Sequence, residues 1–288
     1  MSLRPGVEHS IRLWKELPQN SEILKLCFDQ YEEVFYRICD RKNVKHLVSV
    51  EKKFVAMFDD AKENDVKSIG TKDLRQMIEL KHAKCKARPL RKDFDEKNPD
   101  SKVRSLTEKA FREVKSGKWE AAIATLSDLY CVGPATGEAL FTQYSSKRLN
   151  NFLIITFCPF FPTATAILCF VDPVICYAAD EVLNVVATRV YDFKTTIQMN
   201  KTLIKMAKTL NDNNKTSSDS DFIWTPNDIG KSLYCWAIMN ADKNYSGGAV
   251  TPMTDLIEKV NSGDEKNLKR SAGRMNGEKE LSNKKIKK

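Results

Sequence analysis

The segment Leu129-Tyr130-Cys131-Val132-Gly133-Pro134-Ala135-Thr136 decides the fold prediction for this 288-residue chain. It follows a stretch with helical periodicity, and it predicts a helix that ends near Leu129, a turn, and a second helix that begins at Ala135-Thr136. Gly133 tolerates the positive φ that a tight turn requires. Pro134 has no N–H to leave unpaired, and its φ suits a first helical turn. The segment therefore predicts a hairpin between two helices.

A hairpin of this kind presents unpaired backbone N–H groups, and here they would come from Val132, Gly133, Ala135 and Thr136. Together with the dipole of the second helix, such groups suit an anion such as a nucleic-acid phosphate. Contacts to the phosphate backbone carry no sequence preference. Double-stranded DNA, bound largely without regard to sequence, is the partner that this interpretation predicts. The alternative is that the hairpin is only a tight connection between two helices.

Positive charge is concentrated at the C-terminus. The whole chain carries a net charge of +9, and residues 262–288 contain nine Lys/Arg against four Asp/Glu, a net of +5. The other 261 residues contain 38 Lys/Arg against 34 Asp/Glu, a net of +4. A mildly basic body is compatible with nucleic-acid binding but does not require it.

The spacing of apolar residues predicts an all-α fold without a substantial sheet. Residues 1–261 form the predicted helical domain, with a polar loop at 211–221 and a disordered basic tail at 262–288. Thr71 and Ser101 are predicted N-caps. Helices are predicted at residues 22–39, 45–62, from 71 to the Arg88-Pro89 step, from 101 to Gly117, and at 119–129, 136–144, 174–187, 193–210 and 226–239.

The eight cysteines contain no C-x-x-C pair, and the three histidines lie near none of the later cysteines. The sequence therefore predicts no zinc or iron–sulfur site and no cofactor. Reduced thiols that pack as small apolar groups are the simplest interpretation.

An apolar stretch at 149–173 contrasts with the polar sequence around it, and residues 152–171 contain no charge. Three explanations stay open. The stretch is long enough for a transmembrane helix, although Pro159 and Pro162 lie inside it and no second segment supports a membrane topology. It could equally be an apolar insertion packed on the core. The abrupt change in composition also fits a retained intron translated in frame. A membrane association is the least favoured of the three.

The hairpin resembles that of the helix-hairpin-helix DNA glycosylase superfamily, which has the pattern L-x-G-V-G-x-x-T-A and a catalytic aspartate about 17–20 residues later. Leu129, Val132, Gly133 and Thr136 match this pattern. Cys131 replaces the first glycine, and Gly137 replaces the final alanine.

The chain also resembles, more closely, a largely uncharacterised family of fungal and animal proteins with a G-V-G-P-A-T-A hairpin. The resemblance covers roughly residues 14–240, and no reaction is established for that family. Five segments match its motifs in order: Trp14-Lys15-Glu16-Leu17-Pro18, residues 79–89, Thr107-Glu108-Lys109-Ala110-Phe111, the hairpin, and Ala179-Asp180-Glu181.

The resemblance implies that Asp180 is the catalytic carboxylate, with Asp172 second. A glycosylase carboxylate stabilises a cationic sugar-like transition state after the base leaves the stack. Asp180 lies 44 residues after Thr136, or about 19 if an insert of roughly 25 residues is removed. Ala135 occupies the position of the lysine that bifunctional members use to form a Schiff base, so any activity would be monofunctional. Alternatively, Asp180 and Glu181 only complement a helix dipole.

A basic run that includes Lys84, Lys86 and Arg88 could contact phosphates, or it could be a solvated surface. In the tail, Lys269-Arg270 and the cluster Lys284, Lys285, Lys287 and Lys288 resemble a bipartite nuclear-localisation signal. That pattern predicts the nuclear import machinery as a partner and the nucleus as the location, unless the tail is merely basic.

The leading expectation is thus a nuclear DNA-binding protein, with or without catalysis. A monofunctional glycosylase of base excision repair that uses Asp180 is the first alternative. A helical protein-interaction module that binds no nucleic acid is the second.

Overall fold

A computed structural model describes residues 6–59, 67–85, 90–132, 161–187, 192–214 and 222–241. These residues form helices and no strand, which confirms the all-α prediction. The helices are α1 (Val7–Lys15), α2 (Ser21–Asp29), α3 (Tyr31–Arg41), α4 (His46–Asp59), α5 (Thr71–Lys84), α6 (Phe94–Lys97), α7 (Asp100–Lys115), α8 (Trp119–Leu126), α9 (Phe161–Val171), α10 (Asp180–Val186), α11 (Phe193–Asn214) and α12 (Pro226–Ala241).

The helices bury their apolar stripes in two neighbouring hydrophobic cores. The first core takes its side chains mainly from α4, α5, α7, α8 and α9. The second is formed mainly by α1, α2, α10, α11 and α12. Helix α3 contributes to both, because Phe35 and Cys39 lie in the first core while Val34 and Ile38 lie in the second. The side chains along the boundary between the two cores form the candidate site described below.

The predicted helix at 22–39 is interrupted at Gln30, which separates α2 from α3. Its apolar stripe continues across the break, which is why the periodicity alone did not reveal it. Thr71 and Ser101 both lie inside their helices, because Gly70 and Pro99 occupy the cap positions. Thr71 instead donates a hydrogen bond from Oγ1 to the carbonyl of Asn98, at 2.8 Å.

The predicted polar loop at 211–221 begins later than expected, since Asn211 to Asn214 form the last turn of α11. The side chain of Asn211 accepts a hydrogen bond from the N–H of Trp224 at 2.7 Å and donates one to its carbonyl at 2.9 Å. These tertiary bonds stabilise the end of the helix where the polar sequence favours a loop. Residues 215–221 lie outside the described part of the chain.

Helix α9 shows that much of the apolar stretch at 149–173 belongs to the first core. Ala164, Ile167 and Leu168 are fully buried there, and α9 packs against α5 and α8. At 11 residues, α9 is far shorter than a membrane span, and the described residues include no helix long and apolar enough to cross a membrane. Residues 149–160 are not described.

Candidate functional site

One described segment, residues 90–132, ends at Val132, immediately before the glycine of the predicted hairpin. Leu129 and Val132 are buried in the first core, and the N–H of Val132 donates to the carbonyl of Leu129 at 3.1 Å. Cys131 has a φ of 65°, a left-handed conformation that favours glycine. The residue at the motif's first glycine position therefore adopts a glycine-like backbone. Gly133, Ala135 and Thr136 lie outside the described residues, so their phosphate-binding role stays a prediction.

Asn98 fixes the backbone just before this turn, a role that the sequence analysis missed. Its side chain is fully buried. Nδ2 donates to the carbonyl of Tyr130 at 3.0 Å, and Oδ1 accepts from the N–H of Tyr130 at 2.9 Å. One amide thus satisfies both backbone polar groups of Tyr130. The one feature of the sequence that could have indicated this role is an asparagine directly before Pro99, and that pair is equally typical of a surface turn.

Two cations flank the ring of Tyr130. The guanidinium carbon of Arg91 lies 5.4 Å from the ring centroid, and Nζ of Lys97 lies 4.6 Å from it. The Tyr130 hydroxyl donates to Asp93, which also pairs with Lys97 at 3.1 Å. Both cationic side chains are about half exposed or more. They place positive charge beside the start of the predicted hairpin.

Lys84, a predicted phosphate contact, is instead buried in an ion pair. Its Nζ lies 2.7 Å from Oε1 of Glu51, and the two side chains are only 10% and 11% exposed. Four aromatic rings surround the ammonium at 5.2 to 6.0 Å, those of Tyr31, Phe35, Phe170 and Tyr177. This ammonium is therefore engaged inside the protein and is not presented to solvent. Lys86 and Arg88 lie outside the described residues.

Glu51 is the acceptor at the centre of this buried cluster. The Tyr31 hydroxyl also donates to its Oε1, at 2.7 Å. Burial tends to raise the pKa of Glu51, but the charge and hydrogen bond of Lys84 and the hydrogen bond of Tyr31 outweigh it, so the pKa is lowered. The carboxylate is therefore ionised at neutral pH. Burial and the neighbouring Glu51 charge raise the pKa of Tyr31 well above its ordinary value, which keeps its hydroxyl protonated.

A cavity of about 240 Å³ opens beside the Glu51–Lys84 pair, between the two cores. Its walls include Tyr31, Phe170, Tyr177 and Lys231 as well as the ion pair. Ligand sites commonly occupy such boundaries and combine apolar walls with a few polar groups. Nζ of Lys231, which also lines the cavity, lies 5.2 Å from the centroid of the Tyr31 ring. The cavity lining therefore combines aromatic rings, the carboxylates of Glu51, Asp59 and Asp228, and the ammonium groups of Lys84 and Lys231.

Gly230 allows α12 to form the wall of this cavity. A β-carbon at position 230 would lie 2.1 Å from Sγ of Cys176, which itself lines the cavity. Burial raises the pKa of the Cys176 thiol well above its ordinary value, and the nearby Cys169 adds to the rise. These thiols therefore act as packing groups and not as nucleophiles at neutral pH.

The two candidate carboxylates lie on opposite sides of a short irregular segment. Asp180 is the first residue of α10. Ala179, directly before it, and Val182, two residues after it, line the cavity. Burial raises the pKa of Tyr177 well above its ordinary value, and the charges of Glu181 and Asp180 contribute to the rise. The carboxylate of Asp172 already makes a local hydrogen bond, since its Oδ1 accepts from the N–H of Val174 at 2.8 Å. Neither carboxylate lines the cavity itself: Asp172 lies between the lining residues Val171 and Pro173, and Asp180 directly follows the lining residue Ala179.

The described residues include no group of three or more His, Cys, Asp or Glu side chains placed to hold a metal ion. The predicted nuclear-localisation residues at 269–288 are not among those described. The chain matches no protein-family model, no curated protein and no solved structure.

Proposed function

We propose that this protein binds double-stranded DNA through the backbone of the hairpin at 129–136, largely without sequence preference. The observation that carries the proposal is the left-handed backbone of Cys131 directly before Val132-Gly133-Pro134. A turn there would bring successive N–H groups together at the start of the next helix, an arrangement that suits a phosphate. The exposed Arg91 and Lys97 add positive charge nearby.

The matching test compares Gly133→Asp with the unchanged protein in binding to fluorescent duplexes of unrelated sequence. An added carboxylate would repel the phosphate at close range, so we expect affinity to fall at least about tenfold, or about 1.4 kcal/mol. Gly117→Asp is the control, because it adds the same charge at a glycine elsewhere in the chain, where a β-carbon meets open space. Equal losses in both variants, or none in either, would contradict a contact at the hairpin.

The basic tail supports a nuclear location for this activity. Lys269-Arg270 and the lysines at 284–288 form two basic clusters that import receptors could bind. A fluorescent fusion of the full chain is expected to accumulate in the nucleus, and alanine at Lys284, Lys285, Lys287 and Lys288 is expected to redistribute it. Unchanged nuclear accumulation would contradict the proposed signal.

A second candidate function, base excision by Asp180, is favoured by the cavity beside the start of α10. Helix α9 strengthens this candidate. The superfamily pattern ends in a threonine followed by an alanine, whereas Thr136 is followed by Gly137. The first turn of α9 contains the pair Thr163-Ala164, which matches the end of the pattern. Asp180 follows Thr163 by 17 residues, within the interval that the resemblance implies. For this second candidate, we infer that α9 takes the place of the predicted helix at 136–144 as the second helix of the hairpin.

Base release from duplexes that carry damaged or non-standard bases tests the second candidate. Product should form with the unchanged protein and disappear with Asp180→Asn, while Asp172→Asn retains activity. A deletion of residues 136–162, which restores the sequence Val-Gly-Pro-Ala-Thr-Ala, should retain the helical content and DNA affinity of the full chain. No product at large enzyme excess would leave DNA binding as the function, and an unfolded deletion variant would contradict the assignment of α9.

A further inference from the structure

Cationic side chains from α5, from α6 and from the segment before α6 act together at the turn that contains Cys131. Burial raises the pKa of the Cys131 thiol, and nearby charges shift it in both directions. Asp93 raises this pKa further. The cations that lower it are Arg91, Lys97 and Lys81. Among the charges that act most strongly on this thiol, positive charge therefore exceeds negative charge.

The ring of Tyr130 holds two of these cations directly before Cys131. The guanidinium carbon of Arg91 lies 5.4 Å from the ring centroid, and Nζ of Lys97 lies 4.6 Å from it. A cation within about 6 Å of an aromatic centroid is attracted by the negative face of the ring. The Tyr130 side chain is itself buried. The two cations are thus anchored, while 61% and 47% of their side-chain surface stays open to solvent.

Asp93 neutralises only part of this positive charge. Its Oδ1 lies 3.5 Å from Nε of Arg91, and its Oδ2 lies 3.1 Å from Nζ of Lys97. It also accepts a hydrogen bond from the Tyr130 hydroxyl at 3.1 Å. The hydrogen bond from Lys97 is the main reason that the pKa of Asp93 is lowered, so the carboxylate is ionised at neutral pH. One anion is therefore shared by two cations.

The other charges near α6 do not cancel this excess. Asp95 is engaged by Arg75, whose Nη2 lies 2.5 Å from Oδ2. Lys92 and Glu96 are both exposed and offset each other in charge. An anion that approaches the ring of Tyr130 therefore meets two anchored cations and one carboxylate.

We infer that Arg91 and Lys97 form a second phosphate site on the duplex, and that Asp93 competes with that phosphate for the two side chains. Phosphate oxygens accept the charge-assisted hydrogen bonds that arginine and lysine donate. The inference rests on the proposed function, because it takes DNA as the ligand of the neighbouring hairpin. It adds a contact made by side chains to the backbone contacts of the hairpin.

The first test measures the affinity of the full chain for a fluorescent duplex over a range of salt concentrations. The double variant Arg91→Gln/Lys97→Gln should lower the slope of log K against log salt by about 0.9, the contribution of one phosphate. Both side chains are exposed, so the fold should persist. Arg12→Gln/Lys15→Gln is the matched control, because it removes the same two charges from the exposed surface of α1. The control should leave the slope unchanged.

The second test uses Asp93→Asn, which should change the affinity in the opposite direction. The amide still accepts a hydrogen bond from the Tyr130 hydroxyl, but it no longer neutralises the two cations. Affinity for the duplex should therefore rise about threefold, as expected for releasing an exposed ion pair. Asp128→Asn is the control, because it removes an exposed carboxylate three residues before Cys131 that forms no ion pair with a described residue. Its gain should be smaller.

The outcomes separate this inference from the proposed function. An unchanged slope in Arg91→Gln/Lys97→Gln, or equal gains in Asp93→Asn and Asp128→Asn, would overturn the inference. If Gly133→Asp weakens binding at the same time, the hairpin contact stands and only the second site is lost. If the double variant lowers the slope while Gly133→Asp binds like the unchanged protein, the side-chain site stands and the hairpin contact is contradicted.

Discussion

Two buried polar clusters in this protein differ in whether they carry charge. Around Asn98, a neutral amide pairs with both backbone polar groups of Tyr130 and carries no charge. Around Glu51, a charged pair lies against a cavity. The first cluster supports the turn through hydrogen bonds alone. The second depends on a carboxylate and a cation that balance each other inside the protein, so the two clusters should respond differently to substitution and to acid.

The largest expected effect is that of removing the charge of Lys84. Lys84→Met leaves the Glu51 carboxylate buried without its cation, and breaking one side of such a pair costs about 3–5 kcal/mol. Urea denaturation followed by circular dichroism measures the loss. The double variant Lys84→Met/Glu51→Gln should recover much of it, because the uncompensated charge is gone. A loss equal to or greater than that of the single variant would contradict a charge-pair origin.

Asn98→Ala is expected to have the next largest effect on the free energy of unfolding. It leaves the N–H and the carbonyl of Tyr130 buried without their partner, and each unsatisfied group costs about 1–3 kcal/mol. A loss of about 3 kcal/mol is expected by chemical denaturation. Asn20→Ala is the control, because its exposed amide bonds only to Glu16 and should change stability by less than about 0.5 kcal/mol. Similar losses of stability in both variants would contradict the role of Asn98 in supporting the turn.

Acid should weaken the Glu51 cluster and leave the Asn98 cluster unaffected. Because the pKa of Glu51 is lowered in the fold from its ordinary value of 4.5, its stabilisation is complete above about pH 4.5. It is lost as the pH falls through the folded pKa. Denaturation midpoints measured across this range should fall less steeply for Glu51→Gln than for the unchanged protein. Asn98→Ala should keep the original pH dependence, and parallel curves for all three proteins would contradict the assignment.

Cys131→Gly is expected to have the smallest effect, a gain in stability of no more than about 1 kcal/mol. Glycine relieves the strain of a φ of 65°, although it also increases the entropy of the unfolded chain. The matched control Cys131→Ala keeps the β-carbon and should show no gain in thermal denaturation. If alanine stabilises as much as glycine, the backbone at this position is not strained.

The sequence predicted the helical fold because apolar residues recur at helical spacing on nearly every helix. It missed α9 because that helix is apolar on all sides, so no stripe identified it. The Glu51–Lys84 pair joins residues 33 positions apart, which no local pattern reports. One signal was present in α4, where Glu51 occupies the same stripe as Leu47, Phe54 and Phe58. A charged residue on a buried stripe indicates a buried partner, and searching for one would have pointed to the cavity.

The most direct test of the central claim is the salt dependence of duplex binding for the unchanged protein and for Gly133→Asp. If the hairpin contacts phosphates, the logarithm of the association constant should fall linearly with the logarithm of salt concentration, by about 0.9 for each phosphate contacted. The variant should bind more weakly and with a shallower slope. Identical affinity and slope for the two proteins, or no binding even at low salt, would contradict the proposal that this hairpin binds DNA.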